Sequence, residues 1–170
     1  MPNWRNFLRE PRPEKANCGS EITMTRIDLI GRMLVALQFA LIGWLVWPLT
    51  PQAWSAPALA LLACAAGLGL WTIFHNRPGN FNIRPEPKAF GRLVTGGPYR
   101  YVRNPMYSAV LLFAAAEVVA YRDVWKIACW FILALVLLVK VLLEERALRA
   151  LFPAYAAYAR RVRRFIPGVF

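Results

Sequence analysis

Hydrophobic positions along the chain gather in four long runs rather than in stripes of helical or strand period. The first is Met33–Leu49, broken only by Gln38. The second, Ala56–Phe74, holds no charge over 19 residues. The third, Pro105–Tyr121, contains one acid, Glu117. The fourth, Val124–Leu143, carries Lys126 near one end and Lys140 near the other. A helix that is apolar all round belongs inside a large core or a membrane. At 1.5 Å per residue, a 19-residue helix rises about 29 Å, close to the hydrocarbon thickness of a bilayer. The first and third runs are shorter and need flanking residues or local thinning to span. The pattern therefore predicts an all-α integral membrane bundle of about four transmembrane helices. Residues 1–25 read as a polar, proline-containing arm, and residues 26–170 as one membrane domain. Between the second and third runs lies His75–Arg103, a connector of 29 residues holding Gly79, Pro85, Pro87, Gly91, Gly96, Gly97 and Pro98. Connectors this long are usually functional or disordered.

Composition narrows the class. Of the 170 residues, 58% are hydrophobic and 18% charged. Soluble domains average about 45–50% and 25%. So apolar a chain is neither disordered nor an ordinary soluble globule. The net charge is +12, which in a soluble protein would suggest nucleic acid. Here 19 of the 21 lysines and arginines precede run one, lie between runs two and three, or follow the body of run four. Such basic flanks orient membrane proteins and meet anionic headgroups. The rule puts both termini in the cytoplasm, with the long connector on that side. No nucleic-acid partner is expected, because the basic residues are not interleaved with stacking aromatics. The three cysteines, Cys18, Cys64 and Cys129, are too scattered for a disulfide framework or a zinc site, so no metal is expected.

Three constellations could carry chemistry. The connector ends in Leu93-Val94-Thr95-Gly96-Gly97-Pro98-Tyr99-Arg100-Tyr101-Val102-Arg103-Asn104-Pro105-Met106-Tyr107. Two glycines permit a tight turn, Asn104 and Pro105 suit a helix start, and Arg100 and Arg103 offer forks for an anion. A plain interfacial belt of Tyr and Arg explains the same residues. The second constellation is Lys140 with Glu144 and Glu145. Acids at a helix C-terminus oppose its dipole, and Lys140 and Glu144 share a face. Intramembrane charges suggest function, although a snorkelling lysine followed by a span end accounts for them equally. The third is Phe152–Pro167, where Pro153 should break the helix and Tyr155 and Tyr158 share the face of a new one, which also reads as an interfacial helix.

In this order the constellations resemble the isoprenylcysteine carboxyl methyltransferase and phospholipid N-methyltransferase superfamily. The resemblance runs from about Gly79 to Phe170 and rests on Leu93-Val94, Gly97-Pro98-Tyr99, Arg103-Asn104-Pro105-Met106-Tyr107, Glu144-Glu145, Phe152, Tyr155, Tyr158, Val162 and Pro167. It implies S-adenosylmethionine as cofactor, bound near the cytoplasmic face by the connector and the C-terminal segment, and a lipophilic acceptor that enters from the lipid. By position it implies cofactor contacts at Arg84, Leu93, Val94, Tyr99, Arg103, Asn104, Pro105, Met106, Tyr107, Glu144 and Glu145, and a substrate contact at Lys140. No catalytic acid or base is assigned. Asn104 stands where the carboxyl methyltransferases usually have His, and Lys140 where they have Arg. The acceptor is therefore left open among an isoprenylcysteine-like carboxylate, a phospholipid amine and another lipid-like molecule. Two other readings stand beside it: a nicotinamide-dependent membrane reductase of related pattern, and a non-catalytic membrane subunit.

Overall fold

The computed structural model describes residues 18–47, 54–75 and 93–168 of the chain. These form helices α1 (Cys18–Val46), α2 (Ala56–His75), α3 (Pro105–Tyr121), α4 (Val124–Leu151) and α5 (Tyr155–Arg161), with a 3-10 turn at Gly97–Arg100. Among the described residues there is no strand, only an isolated parallel bridge between Val102 and Arg163. Leu29–Val46, Ala56–His75 and Val124–Leu151 are each long and apolar enough to cross a membrane. Helix α3 is apolar but shorter, with 17 residues. The molecule is an all-helical membrane protein.

Local chemistry sets the boundaries. Helix α3 opens on Pro105, which needs no N–H partner in the first turn. It closes at Arg122, whose left-handed backbone (φ 51°) returns its N–H to the Val118 carbonyl. Asp123 then caps α4 by accepting from the Trp125 N–H at 2.8 Å. A turn of two residues therefore joins α3 to α4. Helix α4 continues past Leu143, where the apolar run ends, to Leu151. The stretch Glu144–Leu151 is made of strong helix formers. Twenty-eight residues rise about 42 Å, more than the hydrocarbon needs, so the helix can carry its charged end beyond the apolar layer. Pro153 follows the break, as expected, and α5 begins at Tyr155. Residues 18–25, assigned above to the arm, are the first turns of α1. Residues 1–17 of that arm lie outside the described residues.

The core lies among α1, α3 and α4. Leu45, Ala114, Cys129, Leu133 and Leu137 are buried together, flanked by Leu41, Ile42, Val110 and Trp130. Helix α2 packs on α3. Its buried residues Ala58, Ala65 and Thr72 fall seven apart, on one stripe, and an added Cβ at Gly69 would lie 3.8 Å from Ala109 Cβ. Small residues of this kind let two membrane helices approach and gain van der Waals contact. Outward faces carry Leu29, Met33, Phe39, Leu59, Phe74, Phe131 and Leu135, all exposed and suited to lipid.

Candidate functional site at the connector end of the bundle

The end of the connector, the charged end of α4 and the C-terminal tail meet at one end of the bundle. The tail runs back along the start of α3. Arg103 N–H donates to Arg163 O at 2.7 Å and Asn104 N–H to Arg164 O at 3.1 Å. The Ser108 hydroxyl donates to Phe165 O at 2.8 Å, and Tyr158 OH donates to the Tyr99 carbonyl at 2.6 Å. Asn104 occupies the N-cap position but makes no side-chain cap. Its Nδ2 instead reaches Arg164 O at 3.5 Å, because the tail competes for the amide.

Glu144 and Glu145 are neighbours with separate partners. Glu144 Oε1 accepts the Tyr107 hydroxyl proton at 2.6 Å, joining α4 to α3. Glu145, 3% exposed, faces arginines: Arg103 at 3.2 Å, Arg164 at 3.2 Å and Arg149 at 3.7 Å. One acid thus ties the tail and the connector to α4. The other sits with the aromatic residues. Tyr99 belongs to the second group. Burial, with the negative charge of Glu144 adding, pushes its hydroxyl up to about 12. It therefore keeps its proton, and its capacity to donate, at any working pH. Tyr155 is likewise raised to about 12, first by burial and then by the charge of Glu145.

Lys140 is 2% exposed. Its Nζ donates to Gln38 Oε1 of α1 at 2.7 Å and stands 5.1 Å from the centre of the Tyr107 ring. Gln38 is itself buried. Sequence reasoning noted Gln38 only as an interruption of run one. A lone amide in run one and a lysine near the end of run four are the sequence signal for this pair.

The connector's last turn is shaped by His75. An added Cβ at Gly97, whose φ is +56°, would lie 2.5 Å from the imidazole Cγ. Trp71 and Tyr101 rings pack nearby at 6.2 Å. Leu93, Val94 and Met106 are half-buried and Pro105 is buried in the same region. Of the residues expected in the site, Tyr99, Tyr107, Glu144 and Lys140 form one group. Arg103, Asn104 and Glu145 form a second against the tail. Arg84 lies outside the described residues. The Arg103 Nε is buried without a hydrogen-bond partner, and a buried guanidinium donor in that state calls for an acceptor.

At the opposite end of the bundle, Lys126 donates to the Leu45 and Trp47 carbonyls. It lies 3.9 Å from Glu117 and 3.8 Å from the Tyr121 ring centre. Glu117 thus lies nearly three turns of α3, about 15 Å of helix rise, beyond Tyr107, and stands beside the lysine that attaches α1.

A family model described as phospholipid methyltransferase matches residues 55–154, more than half of the chain. Comparison with curated proteins and with solved structures finds no significant match.

Proposed function

Because the chain belongs to the phospholipid methyltransferase family, we propose that it transfers a methyl group from S-adenosylmethionine to a lipophilic acceptor at the cytoplasmic face of the membrane. The observation that carries this reading is the Tyr107–Glu144 hydrogen bond, set beside Tyr99 where connector, α4 and tail converge.

The residues fit such a cofactor chemically. Glu144 offers a carboxylate to a cation, and the Tyr99 and Tyr107 rings offer π faces to a cation or a flat heterocycle. Arg103 Nε, buried and without a partner, offers a donor to a carboxylate. Leu93, Val94, Pro105 and Met106 supply apolar wall, and Asn104 anchors the tail beside them. Glu145 contributes by fixing the tail through Arg103 and Arg164. The cofactor supplies an electrophilic methyl on a sulfonium, transferred by in-line displacement. Such a step depends on position more than on acid–base chemistry, which is why no catalytic acid or base is named. Exclusion of water strengthens the charge interactions within the site. Lys140, beside the Tyr107 ring, is our choice for contact with the acceptor. The basic connector and tail support a cytoplasmic position for this face, and hence for both termini.

The test is purified protein with methyl-labelled S-adenosylmethionine and a total lipid extract. Label should pass into a lipophilic product whose identification names the acceptor. Failure to bind S-adenosylmethionine at millimolar concentration in well-folded protein would overturn the reading. Turnover with NADPH instead would favour the reductase.

A further inference from the structure

Lys140 and Glu144 lie one turn apart on α4, a spacing at which opposite charges pair readily. In apolar surroundings their attraction is strong. Yet no ion pair joins them among the described contacts. Each takes a neutral partner from a different helix: Gln38 Oε1 of α1 accepts a hydrogen bond from Lys140 Nζ at 2.7 Å, and the Tyr107 hydroxyl of α3 donates to Glu144 at 2.6 Å. Tyr107 also stands between the two charges, with its ring near the ammonium at 5.1 Å and its hydroxyl on the carboxylate. Gln38 is the one polar side chain in run one, and an amide buried in an apolar helix needs a partner to justify its place. It lies outside the stretch matched by the family, whereas Lys140, Glu144 and Tyr107 lie inside it.

We infer that Gln38 is a positioning residue for the methyl-transfer site: by holding the Lys140 ammonium toward α1, it keeps Lys140 out of a direct ion pair with Glu144 and leaves that carboxylate open to contact by a cationic ligand. The inference rests on the function proposed above. A neutral amide suits this task because it satisfies the ammonium without neutralising it. Without Gln38 the ammonium has no acceptor on α1, and the nearest acid on its own helix is Glu144. Once paired there, Glu144 offers less to a sulfonium. A thioether ligand, which carries no charge at sulfur, is affected far less.

The experiment compares affinities for S-adenosylmethionine and for S-adenosylhomocysteine by calorimetry, in the full chain and in variants. Gln38→Met should weaken S-adenosylmethionine about tenfold, the scale of one charge-assisted contact, and S-adenosylhomocysteine less than about twofold by the same reasoning. Gln38→Glu, which holds the lysine by an ion pair, should restore the ratio of the two affinities. In a Lys140→Met background Gln38→Met should have no effect, because no ammonium remains to swing. Where Gln38→Met folds poorly, Gln38→Asn, which keeps an amide but withdraws it from Nζ by one methylene, supplies the same comparison with and without Lys140. Equal loss for both ligands, or the same loss with and without Lys140, would overturn the inference. Wild-type protein that binds neither ligand would overturn the proposed function, and the inference with it.

Discussion

Glu145 and Arg164 meet through two parallel contacts, Nε on Oε1 at 3.2 Å and the terminal amino group on Oε2 at 3.3 Å. This fork-to-fork geometry is the strong form of a guanidinium–carboxylate pair. It ties the tail to α4, while Arg103 on the same carboxylate ties in the start of α3. The acid is buried and the cations converge on it, so its charge organises three segments of chain.

Glu145→Gln should therefore loosen the tail and leave the buried Arg103 without its carboxylate. Removing one partner of a buried pair is expected to destabilise by about 3 kcal/mol. Thermal unfolding in detergent should show a lower midpoint. Trypsin should cut after Arg160 or Arg161 faster than in wild type. Unchanged cleavage would mean that the backbone contacts of Arg103 and Asn104 to the tail suffice.

Gly97 and His75 form a second testable pair. Alanine at Gly97 meets a backbone φ of +56° and an imidazole 2.5 Å from its Cβ. The left-handed backbone alone disfavours alanine by about 1–2 kcal/mol, and the clash adds to it. In a His75→Ala background the clash vanishes and the backbone preference remains. Gly97→Ala should then be less harmful than in wild type, as a double-mutant cycle of unfolding midpoints would reveal. Equal damage in both backgrounds would mean that the imidazole yields freely.

The spans were legible because lipid-facing helices are apolar all round. Run two, read as Ala56–Phe74, becomes Ala56–His75, and run three is recovered at Pro105–Tyr121. Hydropathy carries run one to Leu49, but the helix closes at Val46, where Trp47 precedes Pro48 and so disfavours helical backbone. The end of α4 at Leu151 is legible from Pro153 and not from hydropathy, which stops at Leu143, because Glu144–Leu151 continues the helix by propensity until the proline forbids it. Within the site, the motif residues Tyr99, Tyr107 and Glu144 were legible as a set. Their partners were not. Gln38 is 102 residues from Lys140, and no local pattern fixes the register of α1 against α4. Glu144 and Glu145 looked alike in sequence. They differ because consecutive positions on a helix point about 100° apart, one toward Tyr107 and the other toward the arginines.

Lys126 holds the far end of α1. It donates to the Leu45 and Trp47 carbonyls and neighbours Glu117. Lys126→Met should detach that end and leave Glu117 buried without its cation. The double variant Lys126→Met, Glu117→Leu removes both charges. It should recover part of the lost stability, since replacing a buried pair by apolar residues is often neutral. Unfolding midpoints of the three proteins check this. A double variant no more stable than Lys126→Met would assign the whole effect to the carbonyl contacts.

Glu144 and Glu117 also separate the site from the scaffold. Glu144→Gln keeps shape and removes charge where Tyr107 donates its proton. If Glu144 complements a cationic cofactor, affinity for S-adenosylmethionine should fall by ~1–3 kcal/mol, about five- to 150-fold. Tyr107→Phe keeps the carboxylate and removes one hydrogen bond, so its effect should be smaller, on the order of fivefold. Glu117→Gln, beside Lys126 at the opposite end, should leave affinity near the wild-type value while lowering the unfolding midpoint. The order Glu144→Gln, Tyr107→Phe, Glu117→Gln in loss of affinity is the signature of a site built on the turns of α3 and α4 nearest the connector. The reverse order, with Glu117→Gln the damaging change, would move the cofactor to the other end of the bundle.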